Sequence, residues 1–301
     1  MKILVSGGTG LVGRAIIPIL QSRGHQVANL TTRKELDSTW ENGLRHSYWN
    51  PALREIKANE IEWADAVINL AGFSVANRWT QGNKDRMICS RIDATDLLVK
   101  SILASASPPS VFLSASASGY YNSSPEWQDE SAPNGSGFLA DLCRNWEECS
   151  LPLEATSVRR VIVRIGVVLD AKEAALGQMI PLFQKGLGAS VGGGKQWMSW
   201  IHIEDLAQAI VHCIETEDAK GVYNVVAPEP TTNEEFSKAL ASVLKKPFFL
   251  PSVPAFALKL LFGEMGSMVL ASQRLNSTRL VKSGFGFRHP SLQEALNNLL
   301  K

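Results

Sequence analysis

The sequence predicts an α/β fold: a doubly wound parallel-sheet Rossmann domain with a smaller interleaved C-terminal lobe. Short β-branched runs alternate with longer helical patterns from the start of the chain, the order that gives a mostly parallel sheet covered on both faces. The runs are apolar throughout instead of alternating apolar and polar, as strands buried on both faces require. A glycine-rich turn joins the first run to the first helical pattern, and such a turn is where these folds hold phosphate.

The first strand, Lys2–Ser6, runs into Gly7-Gly8-Thr9-Gly10-Leu11-Val12-Gly13 and then a helix over Leu11–Arg23. Gly7, Gly10 and Gly13 form GxxGxxG. Glycine lets the chain turn tightly out of the strand and brings backbone N–H groups against a pyrophosphate with no Cβ in the way. The positive end of the helix then faces the phosphates. Thr9, Leu11 and Val12 are expected to line the same cofactor. The competing reading is a glycine-rich turn of some other α/β fold. Pro18 breaks a local rule inside the helix, which is expected to continue with a kink.

The second strand, Gln26–Thr31, is followed by Thr32 and Arg33. An NAD site usually places an acid about 20 residues beyond the glycine loop, on the ribose 2′-OH. Here that place holds Arg33, which would pair with a 2′-phosphate, with the Thr32 hydroxyl beside it. NADP(H) is therefore preferred over NAD(H). The competing reading is a solvated surface arginine.

Further strands are expected at Arg45–Trp49, Ala66–Leu70, Val111–Ser114, Val158–Ile165 and Val222–Val226, with helices at Asn83–Ala106 and Phe138–Ser150. After Leu169 glycine, proline and aromatic residues become dense, and a helical tail follows with Glu234–Leu244, Ala255–Phe262 and Ser291–Leu300. The expected division is a dinucleotide-binding unit over 1–168 plus about 201–227, and a substrate lobe over about 169–200 and 228–301.

With 301 residues, 45% of them apolar, the chain can build a core without staples. A net charge of +1 gives no basic surface for nucleic acid. No apolar run approaches the roughly 18 residues that span a bilayer. The four cysteines show neither CxxC nor zinc-ligand spacing, so no metal site is expected and the thiols read as reduced. The expectation is a cytoplasmic protein whose partner is a small-molecule substrate, with neither nucleic acid nor membrane; a homodimer is compatible with the sequence.

On these residues the chain resembles the extended short-chain dehydrogenase/reductase superfamily. The glycine loop matches, as do Asn69-Leu70-Ala71-Gly72, Leu113-Ser114-Ala115-Ser116-Ala117 and Trp200-Ile201-His202-Ile203-Glu204-Asp205-Leu206. More narrowly it resembles an NAD-dependent epimerase/dehydratase-like "epimerase family" with a special C-terminal domain. The supporting stretches are Arg78-Trp79-Thr80, Ser90-Arg91-Ile92, Gly119-Tyr120-Tyr121, Phe138-Leu139-Ala140, Gly192-Gly193-Gly194-Lys195-Gln196-Trp197, Gly263-Glu264-Met265 and Gly284-Phe285-Gly286-Phe287-Arg288-His289-Pro290. The resemblance implies that Leu70, Ala71, Gly72 and Ser114 line the cofactor, that Trp49 and Asn50 fall near the adenine, and that Gly166 and Val167 fall near the nicotinamide. Simple packing is the alternative for the last four.

One departure stands out. The superfamily's proton transfer uses a Ser or Thr with YxxxK on a helix, the Lys lowering the Tyr pKa. Ser116 is the candidate serine, with Ser114 as the register alternative. The helix from Phe138 places Leu139 and Cys143 where Tyr and Lys are expected, and no other YxxxK occurs. Two readings follow. Either the protein is an oxidoreductase or epimerase-like enzyme with another proton donor, for which Tyr120 and Tyr121 are the candidates (the competing reading makes both structural aromatics under the cofactor), or it is a non-catalytic NADP(H)-dependent sensor or scaffold. Weaker signals read first as structure: His202 in a strand-to-helix connection with Asp205 capping the helix, Cys143 as an inert thiol, Trp197, Trp200 and Phe183 as core, and Arg78, Lys84 and Arg91 as a solvated helix face.

Overall fold

Seven parallel strands form the body of one sheet in the computed structural model, which describes residues 1–301. They are β1 Lys2–Ser6, β2 Gln26–Thr31, β3 Leu44–Asn50, β4 Ala66–Asn69, β5 Val111–Ala117, β6 Arg159–Ile165 and β7 Gly221–Val225. Their order across the sheet is β7-β6-β5-β4-β1-β2-β3. Winding reverses between β1 and β4, so a crevice opens there at the carboxyl ends of the strands. Short antiparallel strands Trp40–Glu41 and Glu55–Ile56 both pair with β3.

The helices are α1 Leu11–Ser22, α2 Ala58–Trp63, α3 Gln81–Ala104, α4 Phe138–Glu148, α5 Ala174–Gln184, α6 Ile203–Glu215, α7 Asn233–Val243, α8 Ala255–Phe262, α9 Gly266–Leu270, α10 Thr278–Lys282 and α11 Leu292–Leu300. The expected fold class is the observed one. The sequence reading missed α2, α5, α9 and α10; α5 contains Pro181 and forms within the stretch that read as irregular. The α1 helix runs unbroken through Pro18, whose ring faces solvent.

Successive strand residues point to opposite faces, and both sets are apolar. Ile3 and Val5 of β1 pack with Ile16, Ile17 and Leu20 of α1 and with Leu206, Ile210 and Ile214 of α6. Leu4 packs on the other face with Ile61 of α2, Leu98 and Ile102 of α3, and Phe112 of β5. A third core lies beyond the sheet: Leu169, Leu176, Ile180, Phe183 and Trp200 pack with Phe236, Leu240 and Leu296. Phe183 and Trp200 are thus core residues. No helix is long and apolar enough to cross a membrane.

A buried polar chain crosses the sheet where the crevice opens. The Ser6 hydroxyl donates to Asn69 Oδ1 at 2.7 Å, and Asn69 Nδ2 donates to Thr95 Oγ1 at 2.8 Å and Ser114 Oγ at 3.3 Å. Trp146 Nε1 also donates to Thr95 Oγ1, at 2.9 Å. These bonds fix β1, β4, β5, α3 and α4 together in a region where an unmade bond is costly. Replacing Asn69→Ala should destabilise the fold by about 1–3 kcal/mol, read as a lowered midpoint in urea denaturation.

Candidate functional site

The loop between β1 and α1 leaves no room for a side chain at Gly7 or Gly13. A Cβ at Gly7, where φ is +74°, would lie 2.7 Å from the Leu70 carbonyl, and one at Gly13 would lie 2.4 Å from the Gly7 carbonyl oxygen. The Gly10 N–H donates to the Gly7 carbonyl at 3.0 Å, and the first intrahelical bond runs from Arg14 N–H to Gly10 at 2.9 Å. The amides of Leu11, Val12 and Gly13 therefore have no helical partner. Gly10 occupies the N-cap and makes no side-chain cap bond. Thr9 and Gly10 are exposed and Leu11 and Val12 half-buried, so this cradle fits a pyrophosphate.

Two contacts that sequence reasoning missed hold the loop. Buried Asn29 of β2 accepts the Gly8 N–H at 3.1 Å, and its amide nitrogen meets His46 Nδ1 at 3.2 Å. Asn29 was legible only as an oddity, a polar residue inside an apolar strand. Arg14 donates to the Thr9 carbonyl at 2.5 Å and pairs with Glu173 at 2.6 Å. Thr32 and Arg33 are exposed at the end of β2, and Arg33 makes no ion pair.

Leu70, Ala71 and Gly72 continue from β4 beside Gly7. Trp49 is only 3% exposed and belongs to the core under α2 and α3. Asn50 caps a turn, accepting the Leu53 N–H at 3.3 Å. The Ser114 hydroxyl is held in the Asn69 chain. At Gly166 a Cβ would lie 2.4 Å from the Ser199 carbonyl, and the Val167 N–H donates to that carbonyl at 2.8 Å. The structure thus gives Trp49, Asn50, Ser114, Gly166 and Val167 partners within the protein itself.

A buried ion-pair network links α4 to the sheet. Glu147 of α4 and Arg164 of β6 form a bidentate pair at 2.9 and 2.8 Å, both buried. The Ser116 hydroxyl donates to Glu147 Oε1 at 2.6 Å. Arg164 donates to the Tyr121 hydroxyl at 2.8 Å, which donates to Asn224 Oδ1 at 2.7 Å. Burial alone would lower the Arg164 pKa, but Glu147 and Tyr121 more than offset that and hold it above its ordinary value. Burial pushes the Tyr121 phenol up to about 12. Tyr120 stacks under the guanidinium, its ring centroid 3.4 Å from Arg164 Cζ, and its own hydroxyl is uncommitted.

Leu139 and Cys143 meet this network from α4. A Cβ at Gly119 would lie 3.2 Å from Leu139 Cβ and 3.8 Å from Cys143 Sγ. Burial and then the Glu147 carboxylate push the Cys143 thiol up to about 11, so it is inert at neutral pH. Beside it lies Arg91, which donates to the Phe73 and Met87 carbonyls at 2.9 and 3.0 Å and stands 3.1 Å from a Cβ built at Gly72. The expected solvated face is therefore corrected for two of its three cations: Arg91 is half-buried in carbonyl bonds, and Lys84 is paired with Glu264. Arg78 is exposed.

Asp205 does not cap α6. His202 does, accepting the Glu204 N–H on Nδ1 at 3.0 Å, while Asp205 accepts the N–H groups of Arg288 and His289 at 2.8 and 2.9 Å. His202, Glu204 and His289 stand close enough to suggest a metal. With Nδ1 accepting a backbone N–H, however, the His202 proton sits on Nε2, 3.1 Å from Asn298 Oδ1, and neither nitrogen offers a lone pair.

Replacing Glu147→Gln should cost about 3–5 kcal/mol, because Arg164 is left buried without its counter-charge. Adding Arg164→Met should cost less than the two single effects summed, read in a double-mutant cycle of denaturation midpoints. Alkylation with iodoacetamide at pH 8 should label exposed Cys89 in the folded protein, while Cys143 and Cys213 react only after unfolding, as mass spectrometry would report.

Comparison with known proteins agrees with this architecture. Residues 3–139 and 157–226 match the NAD dependent epimerase/dehydratase family, and residues 253–299 match a domain of unknown function, DUF1731. The chain is 36% identical over 307 residues to the mouse epimerase family protein SDR39U1, covering all of both chains. It is 37% identical over 310 residues to the chloroplastic homolog from Arabidopsis thaliana, covering 100% of this chain and 87% of that one. The crystal structure of human SDR39U1 (isoform 2) with NADPH superposes with a TM-score of 0.87 at 32% identity, covering 99% of each chain. The chain therefore belongs to the NAD dependent epimerase/dehydratase family and carries the DUF1731 domain toward its C-terminal end.

Proposed function

We propose that the protein binds NADP(H) in preference to NAD(H) and acts as an oxidoreductase or epimerase-like enzyme on a small molecule held between the sheet edge and the C-terminal lobe. The observation that carries this is the β1–α1 loop, with its amides free and Arg33 unpaired beyond the next strand. The pyrophosphate is assigned to the amides around Gly7, Thr9, Gly10, Leu11, Val12 and Gly13, and the 2′-phosphate to Arg33 with Thr32. The NADPH in the human relative's structure supports the assignment. Bound there, the cofactor supplies or accepts hydride.

The division into a cofactor unit (1–168 plus about 201–227) and a substrate lobe (about 169–200 and 228–301) is part of the same reading. It is supported by the separate core around Trp200, Phe183 and Phe236. Of the three candidate catalytic residues, Ser116 is bonded to Glu147 and Tyr121 is bonded at both ends. Tyr120 retains a free hydroxyl at the carboxyl edge of the sheet, so it is assigned as the proton donor. Arg91, beside Cys143, supplies the cation that the superfamily draws from Lys.

A second reading, a cofactor-dependent sensor or scaffold, is favoured by Leu139 and Cys143 standing at the Tyr and Lys positions. Turnover separates the two. Under the enzyme reading, Tyr120→Phe should lower single-turnover hydride transfer to an accepted carbonyl substrate by about 10²-fold with cofactor affinity unchanged. Under the sensor reading, no substrate in a carbonyl screen oxidises bound NADPH. Arg33→Asp should weaken NADPH by about 1–3 kcal/mol and NADH far less in calorimetric titration. Equal losses would remove the 2′-phosphate assignment.

A further inference from the structure

We infer that the cavity between Trp79, Phe138 and the α8–α9 turn is the substrate pocket of the site above, and that it takes a flat apolar ring system carrying a carboxylate. The inference rests on the site reading just given. The cavity holds about 400 Å³ and is lined by Trp79, Phe138, Lys259, Gly263, Glu264 and Ser267, a size that suits a small organic ligand.

Its position ties it to the chemistry. Phe138 precedes Leu139, the residue at the superfamily's Tyr position, and Leu139 packs on Gly119 beside Tyr120. The cavity is therefore tied through the first turn of α4 to the segment that carries Tyr120. Three stretches distant in sequence meet there: Arg78-Trp79-Thr80, Phe138-Leu139-Ala140 and Gly263-Glu264-Met265. The glycine loop has no use for any of them.

Its chemistry selects the ligand. Trp79 and Phe138 meet edge to face at 5.1 Å, and Trp79 Nε1 is anchored to the Val75 carbonyl at 3.0 Å. Together they make one fixed aromatic surface on which a ring can pack. The acid in the lining, Glu264, is neutralised by Lys84, whose ammonium lies 5.2 Å from the Phe138 ring centroid. Lys259 lines the cavity and makes no ion pair. Net charge at the cavity is therefore positive, and an anionic group on the ligand would pair with Lys259.

The test is calorimetric titration of the full chain with 2-naphthoate and with uncharged 2-naphthylmethanol, beside NADPH on the same samples. Wild type should bind naphthoate more tightly than the alcohol. Lys259→Glu should weaken naphthoate about fivefold and leave the alcohol nearly unchanged; Trp79→Ala should weaken both. Lys259 is exposed, so its variant carries the test even where Trp79→Ala does not fold. Failure of both probes, or naphthoate binding unmoved by Lys259→Glu, overturns the pocket. If NADPH binds while naphthoate does not, the pocket alone is wrong. If naphthoate follows Lys259 and NADPH does not bind, the cofactor reading is wrong and the pocket stands.

Discussion

Burying a carboxylate and a guanidinium beneath the site is tolerable only if each satisfies the other, and the Glu147–Arg164 pair does so while recruiting everything near it. Three side chains meet it directly: Ser116 from β5, and Tyr120 and Tyr121 from the turn beyond, Tyr120 stacked on the guanidinium; Asn224 from β7 joins through the Tyr121 hydroxyl. The Glu147 main-chain carbonyl adds Arg160 and Ser150, at 2.8 Å each. A pair this buried is weak evidence of stability compared with an apolar replacement. Its effect is positional. It fixes which face of α4 meets the sheet edge, and so it sets Leu139 and Cys143 against Gly119.

That placement explains the logic of the site. Ser116 cannot offer its proton elsewhere while Glu147 holds it at 2.6 Å, and Tyr121 is tuned away from neutral chemistry. The cation nearest Cys143 comes from α3, where Arg91 also stands beside Gly72. The cofactor cradle is untouched by these exchanges, because it is built from backbone and from Asn29 and Asn69, on the other side of the crevice.

Much of this could be read from the chain. Uniformly apolar strands gave the seven-stranded order its elements, and the ends of β1 and β2 fell where the patterns placed them. GxxGxxG is legible because backbone geometry demands glycine at fixed spacing. Side-chain partnerships across 17 to 155 residues leave no such local mark. Nothing near Glu147 announces Arg164, and nothing near Asp205 announces the amides of Arg288 and His289. The helix α5 was missed because glycine and proline density outweighed a buried stripe of Leu176, Ile180 and Phe183. Arg91 was misread for the same reason: a helix-face pattern cannot show that carbonyls of a neighbouring loop are waiting.

The strand Arg274–Leu275 pairs with Trp127–Gln128, and Arg274 sits between the rings of Trp127 and Trp197 at 4.4 and 4.1 Å. Nearby, Gln273 reaches 155 residues back to the Ser118 carbonyl. This has a consequence in time. The glycine loop, its Asn29 brace and the Asn69 strand beside it lie within the first quarter of the chain and can assemble on a nascent chain, whereas loop closure over so long a span comes late. During synthesis the glycine loop can therefore be in place while the segment across from it has yet to leave the ribosome, and that side of the molecule is completed only with the last tenth of the chain.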